Sequence, residues 1–548
     1  MEIQTIKKMQ KKAIKSSGVD FMKIGVALIF MTIVLIYSFS TTGGIPNSTF
    51  LAIAALFGAY MAMNIGANDV ANNVGPAVGS KALSMTGAIA IAVIFEASGA
   101  FIAGGEVVNT IKKGIINIEA FGDNTDSFIW AMMAALVSAA LWLNFATIMK
   151  APVSTTHSIV GGVMGAGIAA AGFSIVDWGT MGAIASSWII SPLFGGLIAA
   201  GFLYSIKKTI IFKEDRVTAA KIWVPVYVAI MSWAFVTYLT LKGLKKVWPS
   251  IVSFINDTFF AILPVTKKPT FLTAAIFGLI VALIVYFLVK ANISKKDKKI
   301  ENSRLGINSL FTIPLIFAAA LLSFAHGAND VANAIGPLAA INEAIITGGI
   351  SSKSSIPFWV MAVGAIGIAI GLALYGPKLI KTVGTEITEL DQIRAFSIAI
   401  AAAITVIIAS QLGLPVSSTH ITIGGVFGVG FLREWLDSRG EKEVIKSEKE
   451  ILQDEQKILK AYQSELTDLD AKEKKSKENY KRIVNLYKLI DDEEDKIKDA
   501  KKALKSTEKI KYVKRDAVKK IVAAWVITVP AAALLSAMIF FMIKGMLI

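Results

Sequence analysis

Hydrophobic residues run along this chain in blocks and do not alternate singly with polar ones. Continuous apolar stretches cover 21–39, 49–67, 85–105, 128–148, 181–206, 222–241, 271–290, 309–325, 357–380, 395–412 and 521–547. A block of about 20 residues rises about 30 Å as an α-helix, the depth of a bilayer's hydrocarbon core. A membrane β-barrel would show two-residue alternation instead. Shorter runs at 153–172, 251–264, 333–349 and 416–432 fit crossings, re-entrant segments or surface helices. The pattern predicts an all-α polytopic membrane protein with about a dozen transmembrane helices, since in lipid every backbone polar group must be satisfied within its own segment.

The blocks are duplicated. Asn64-Ile-Gly-Ala-Asn68-Asp69-Val-Ala-Asn72-Asn-Val-Gly-Pro76 returns as Ala325-His-Gly-Ala-Asn329-Asp330-Val-Ala-Asn333-Ala-Ile-Gly-Pro337, an offset of 261. Pro152-Val-Ser154-Thr155-Thr156-His157 returns as Pro415-Val-Ser417-Ser418-Thr419-His420, an offset of 263. A weaker pair, Ser187-Trp188 to Pro192 against Ala524-Trp525 to Pro530, is displaced by 338 at the prolines. The jump of 75 places an insertion in the second copy. Three ordered matches indicate duplication.

Charge gives each copy a direction. The last helix of the first copy runs into Lys207, Lys208, Lys213 and Arg216, whereas its counterpart is preceded by Lys514, Arg515, Lys519 and Lys520. Basic residues collect on the cytoplasmic side, so the two copies run in opposite directions. Inverted-topology repeats with broken or re-entrant helices at the midplane mark secondary transporters. The same rule puts Lys7, Lys8, Lys11, Lys12 and Lys15, hence the N-terminus, inside. The net charge of +16 has its source in these loops and does not call for a nucleic-acid partner. With no cysteine, disulfides and thiolate metal sites are excluded.

The chain then divides into six parts: 1–44, an N-terminal cytoplasmic segment and extra crossing; 45–208, the first transport repeat; 209–307, connecting helices and a basic loop; 308–432, the second repeat; 433–519, the insertion; and 520–548, the last helix of the second repeat. In the insertion, Ile445, Leu452, Leu459, Leu466 and Leu469, and then Ile483, Leu486, Ile490 and Ile497, are spaced as the seam of an antiparallel helical hairpin. It is expected on the cytoplasmic side.

Polar residues inside apolar blocks carry the chemistry, because the bilayer makes them expensive. Asp69 and Asp330 are hard ligands for Na⁺, or proton acceptors. Asn68, Asn72, Asn329 and Asn333 offer both amide donors and carbonyl acceptors. The glycines and prolines around them are expected to unwind the helix there. Ser154, Thr155 and Thr156, with Ser417, Ser418 and Thr419 in mirror relation, stand where helix N-termini would present free amides and a positive dipole end to an anion. Glu96, inside 85–105, is expected to be a cation or proton site. A shift of 261 places Pro357 opposite it and a gapped alignment places Ile368, so any role is asymmetric. His157 and His420 are expected to make supporting hydrogen bonds, and His326 draws no support from the repeat.

The doubled Gly-Ala-Asn-Asp-Val-Ala-Asn and Pro-Val-Ser-Thr/Ser-Thr-His motifs resemble the inorganic phosphate transporter family over roughly 45–208 and 308–545 less the insertion. That resemblance implies symport of phosphate with Na⁺ or H⁺ and no enzymatic activity, and a site of Asn68, Asp69, Asn329, Asp330, the two hydroxyl runs and Glu96. The intramembrane carboxylates, with no chain of proton carriers beside them, favour Na⁺, for which Asp69, Asp330, Glu96, Asn72 and Asn333 are the expected ligands, with Asn68, Asn329 and the hydroxyl runs expected on the phosphate. Expected partners are phosphate, Na⁺ and membrane lipid at a cytoplasmic membrane, with a homodimer left open. A sulfate or general oxyanion carrier, an anion channel and an intramembrane hydrolase using Ser154, His157 and Asp69 are the competing readings. The hydrolase gives no reason for two inverted copies.

Overall fold

A computed structural model describes residues 2–122, 124–149, 151, 153–245, 247–259, 265–296, 300–349, 356–385, 390–472, 476–507, 513 and 515–547. Pro152 and Lys514, and the side chains of Lys7, Lys8, Lys11, Lys12, Lys15, Ile445 and Lys520, all used above, lie outside what is described.

The described elements are helices. In chain order they are α1 (Glu2–Thr42), α2 (Ser48–Asn68), α3 (Val70–Gly79), α4 (Met85–Ala103), α5 (Gly105–Lys113), α6 (Thr125–Ile148), α7 (Thr155–Ala171), α8 (Trp178–Ile206), α9 (Arg216–Tyr238), α10 (Trp248–Phe259), α11 (Phe271–Lys296), α12 (Arg304–Leu310), α13 (Thr312–Thr347), α14 (Phe358–Thr385), α15 (Gln392–Gln411), α16 (Ser418–Asp470), α17 (Lys477–Thr507) and α18 (Arg515–Leu547). Among the described residues, eleven spans are long and apolar enough to cross a membrane. α7, with 17 residues, is at the lower limit of the length that crosses a bilayer and is not among the eleven spans. The apolar start of α16 is its counterpart.

The chain forms two compact units: 1–429 with 515–548, and 430–514. The first is the inverted-repeat bundle. Its repeats interlock, because equivalent helices exchange partners: α2 packs on α14 as α13 packs on α4, and α7 packs on α18. Glycines set these approaches. A Cβ at Gly66 would overlap the carbonyl of Ile368, and one at Gly327 would overlap the carbonyl of Glu96. Ile368 therefore occupies in one half the place Glu96 holds in the other, which selects the gapped alignment over Pro357. Gly161 and Gly424 repeat the device against Val529 and Pro192.

The glycines of the Asn-Asp motif thus serve close packing, and the expected unwinding does not occur. Asp69 interrupts α2 and α3 by one residue with helical backbone angles (φ −81°, ψ −34°), and α13 passes Asn329 and Asp330 unbroken for 36 residues. What the prolines do is local. Pro76 has no N–H for the carbonyl of Asn72, and Pro337 has none for Asn333. A left-handed glycine, Gly348 (φ +67°), ends α13.

In the second unit, α16 and α17 pair as a hairpin. Ile483, Leu486 and Ile497 are buried in its seam. Arg482 makes a bidentate bond across it to Glu465, with Nε at 2.8 Å and Nη2 at 2.9 Å.

Candidate functional site

Every motif residue of the two repeats converges on one buried centre. Asn68, Asp69, Asn72, Thr155, Thr156, Asn329, Asp330, Asn333, Ser418 and Thr419 are all at most 1% exposed. The N-terminal turns of α7 and α16 meet there. Ser154 caps the first, its Oγ accepting the backbone N–H of His157 at 3.1 Å, and Ser417 caps the second by accepting from His420 N at 3.2 Å. These two serines are therefore caps, and Thr155, Thr156 and Thr419 supply the hydroxyls that bond to the carboxylates and amides, while Ser418 Oγ is buried without a partner among the described residues.

Thr155 joins the two acids. Its hydroxyl donates to Asp69 Oδ2 at 2.6 Å and lies 3.0 Å from Asp330 Oδ2. Thr419 donates to Asp69 Oδ1 at 3.2 Å. The asparagines cross between repeats: Asn72 Nδ2 donates to Thr419 Oγ1 at 2.8 Å, and Asn333 Nδ2 to Thr156 Oγ1 at 3.2 Å. Their Oδ1 atoms, with Asn329 Oδ1 and Asp330 Oδ1, are buried without a hydrogen-bond donor among the described residues. Hard oxygens of this kind, close to two carboxylates, suit Na⁺.

Asn68 and Asn329 depart from the expectation that they donate to phosphate. Asn68 Nδ2 is committed to Thr147 Oγ1 (2.9 Å) and the carbonyl of Ala151 (3.3 Å), and Asn329 Nδ2 to Ser410 Oγ (2.9 Å) and the carbonyl of Leu414 (3.3 Å). With their donors engaged, both brace the loops that lead into α7 and α16. Asn68 Oδ1 also accepts the backbone N–H of Val153 at 3.4 Å, and what remains to Asn329 is a carbonyl oxygen, which does not favour an anion.

Glu96 is not beside Asp69 as a third open carboxylate. Its Oε1 accepts from Asn73 Nδ2 at 2.7 Å and its Oε2 lies 2.7 Å from His326 Nδ1. The other ring nitrogen, Nε2, stands 3.2 Å from Asp330 Oδ2. Asp69, His326 and Asp330 bring one ligand atom each within 4.8 Å of one another, a grouping that omits Glu96. His326, which draws no support from the repeat, and Asn73, which the motifs do not single out, both bond to Glu96 here. The signal in the sequence was the spacing of His326 and Asp330, four apart on one helix face.

His157 and His420 are packed among aromatic rings. His157 lies 3.8 Å from Trp188 and His420 3.7 Å from Trp525, centroid to centroid, and the two imidazoles meet edge to face at 4.4 Å. The weaker third pair of the repeat is thus the aromatic backing of the hydroxyl motifs.

The fold defines a multi-pass membrane carrier built from inverted repeats, with a buried polar centre where the repeats meet. The chain matches the phosphate transporter family over residues 65–536 and belongs to it. It is similar to a protein of Helicobacter pylori strain J99 that bears the name phosphate permease, with 49% identity over 98% of both chains. A namesake in Thermococcus kodakarensis is 40% identical over 70% of this chain and 89% of its own. Among solved structures, one titled "The sodium-dependent phosphate transporter" superposes with a TM-score of 0.67 at 29% identity, covering 91% of this chain and 99% of that one. The family is one of transporters, so the hydrolase reading falls.

Proposed function

We propose that this protein is a Na⁺-coupled symporter of inorganic phosphate in the cytoplasmic membrane, with the N-terminus and the 433–519 insertion in the cytosol. The observation that carries the reading is the Thr155 hydroxyl, set between Asp69 and Asp330 at the N-terminus of a half-helix. Amides and hydroxyls of α7 and α16 would hold the oxyanion through charge-assisted hydrogen bonds. Two carboxylates beside a phosphate repel it, so cations must enter with it. Asp69 and Asp330, with the carbonyls of Asn72 and Asn333, would take Na⁺, and His326 would orient Asp330. The similar solved structure is named for sodium dependence, which supports Na⁺ over H⁺. The division into two transport repeats, 45–208 and 308–432 with 520–548, belongs to this reading.

The test is phosphate uptake into proteoliposomes with Na⁺ and proton gradients imposed separately. Saturable uptake driven by Na⁺ alone is expected. Uptake driven only by protons would replace the coupling ion, and non-saturating flux would replace the carrier by a channel.

A further inference from the structure

A cavity of about 770 Å³ lies between α1, α2, α6 and α14, its wall mostly apolar, with Lys23, Tyr60, Asn64, Asn144, Thr147 and Lys378 as polar positions on it. Its polar floor adjoins the site, for Thr147, which lines it, accepts the hydrogen bond of Asn68 at 2.9 Å. Further along, Asn144 Nδ2 reaches Asn64 Oδ1 at 3.5 Å, and Asn64 Nδ2 donates to the carbonyl of Tyr60 at 2.9 Å. In the second repeat the matching positions, by the offsets of 261 and 263, are Ala325 and Ile407, both buried and apolar. At these two positions the first half is polar and the second apolar, although Ser410 matches Thr147 as the partner of the asparagine amide.

Two asparagines facing lipid would be costly. α1 stands on that side, placing Ala27, Leu28 and Met31 along the cavity. This helix precedes the stretch matched by the family, which begins at 65. The charged residues that line the cavity are Asp20 and Lys23, at the start of the apolar span Asp20–Thr42 of α1, and Lys378, near the end of the span Phe358–Lys381 of α14.

We infer that this cavity is the aqueous route between the cytosol and the phosphate site, that Asn64 and Asn144 line it for a hydrated anion, and that α1 is its wall against lipid. The inference rests on the symporter reading for the identity of the traveller. An alternative occupant, the acyl chain of a phospholipid, fits the apolar α1 wall but leaves Asn64 and Asn144 facing hydrocarbon.

The chain has no cysteine, so single cysteines can be introduced without any other change. Asn144→Cys and Met63→Cys, both on the cavity, would be reconstituted and exposed to a charged, membrane-impermeant thiol reagent. Lys213→Cys, in the exposed basic connection after α8, reports the cytoplasmic face, and Ile407→Cys is the symmetry-related control. Expected results are labelling of positions 144 and 63 from the face that labels 213, no labelling of 407, slower labelling with Na⁺ and phosphate present, and loss of uptake once labelled. An Ala27→Trp variant should lose uptake by filling the cavity, with the cytoplasmic reporter still labelled.

Reaction only with a lipophilic reagent would assign the cavity to lipid and overturn the inference. Labelling that neither responds to substrate nor affects uptake would also overturn it. Absence of Na⁺-driven uptake in the unsubstituted chain would refute the symporter reading instead, because labelling without substrate reads the water-filled cavity independently.

Discussion

His326 and Glu96 belong to different repeats, yet His326 Nδ1 and Glu96 Oε2 are 2.7 Å apart in a fully buried contact. Gly327 makes it possible, since any larger residue there would strike the Glu96 backbone. The pair ties α4 to α13 beside Asp330. It is also what makes the two halves of the site unequal, because Ile368 stands in the place equivalent to Glu96.

Removing the carboxylate should therefore damage structure as well as transport. Glu96→Ala leaves Asn73 and His326 without their buried partner, at a cost of about 1–3 kcal/mol. Glu96→Gln retains an acceptor and should be less destabilised. Thermal unfolding in detergent measures both. An alanine variant as stable as the parent would show that the contact does no structural work.

Asp69→Asn and Asp330→Asn are each expected to abolish Na⁺-coupled uptake while the protein remains folded in the membrane. Each substitution keeps shape and one oxygen and removes the charge that recruits the cation. Uptake as a function of Na⁺ concentration is the measurement. Normal Na⁺ dependence in either variant would remove that residue from the coupling site.

Much of this was legible in the sequence, for reasons that mark where it stops. Apolar blocks show helices because lipid leaves no alternative, and the doubled motifs show the repeat because each residue is copied. Copying says nothing about residues present once. His326 looked unsupported and Glu96 looked isolated, because the contact that joins them spans 230 positions and is made by tertiary packing alone. Gly66 shows the same limit. A glycine that unwinds a helix and one that admits a neighbouring backbone look alike until the neighbour is known. The resemblance places Asn68 and Asn329 on the anion, and only the loops before α7 and α16 reveal where their amide donors go.

The same close approaches give a test of the interlocked packing. Gly327→Ala and Gly371→Ala put a methyl into the backbone of Glu96 and of Met63, atoms that cannot swing aside. Overpacking of this kind costs about 1–3 kcal/mol or more. Gly182→Ala, where an added methyl meets nothing, is the control and should be near neutral. Equal melting temperatures for all three would contradict the packing described.

The hairpin of α16 and α17 should titrate as an exposed unit. Arg482 bonded to Glu465 holds the carboxyl below the usual carboxylate range. An acid with a depressed folded-state value contributes stability above its unfolded value and loses it as pH falls through the folded one. The contribution is small, since both groups face water and salt. Arg482→Ala should move the Glu465 titration upward, which NMR of the side-chain carboxyl reads directly. Deleting 440–512 with a short flexible linker should leave the KM for phosphate unchanged. A large rise in KM in a well-expressed deletion would give the hairpin a part in transport.

Selectivity among oxyanions follows from the kind of oxygen at the site. Phosphate and sulfate are both tetrahedral and close in size, so shape separates them poorly. Near neutral pH phosphate keeps at least one proton and sulfate keeps none. Asp330 Oδ1, Asn72 Oδ1 and Asn333 Oδ1 are buried acceptors with no donor among the described residues. Any of them not engaged by a cation can accept the phosphate proton. Sulfate would set lone pair against lone pair there, at a cost of about 1–3 kcal/mol. By the rule that 1.4 kcal/mol is tenfold, that is discrimination of about tenfold to a hundredfold. Arsenate, also protonated, should compete with labelled phosphate nearly as well as phosphate itself, and sulfate should compete weakly. Inhibition is measured at fixed pH and Na⁺ concentration. Equal inhibition by sulfate and arsenate would mean that no buried acceptor reads the proton, and the substrate would widen to oxyanions in general.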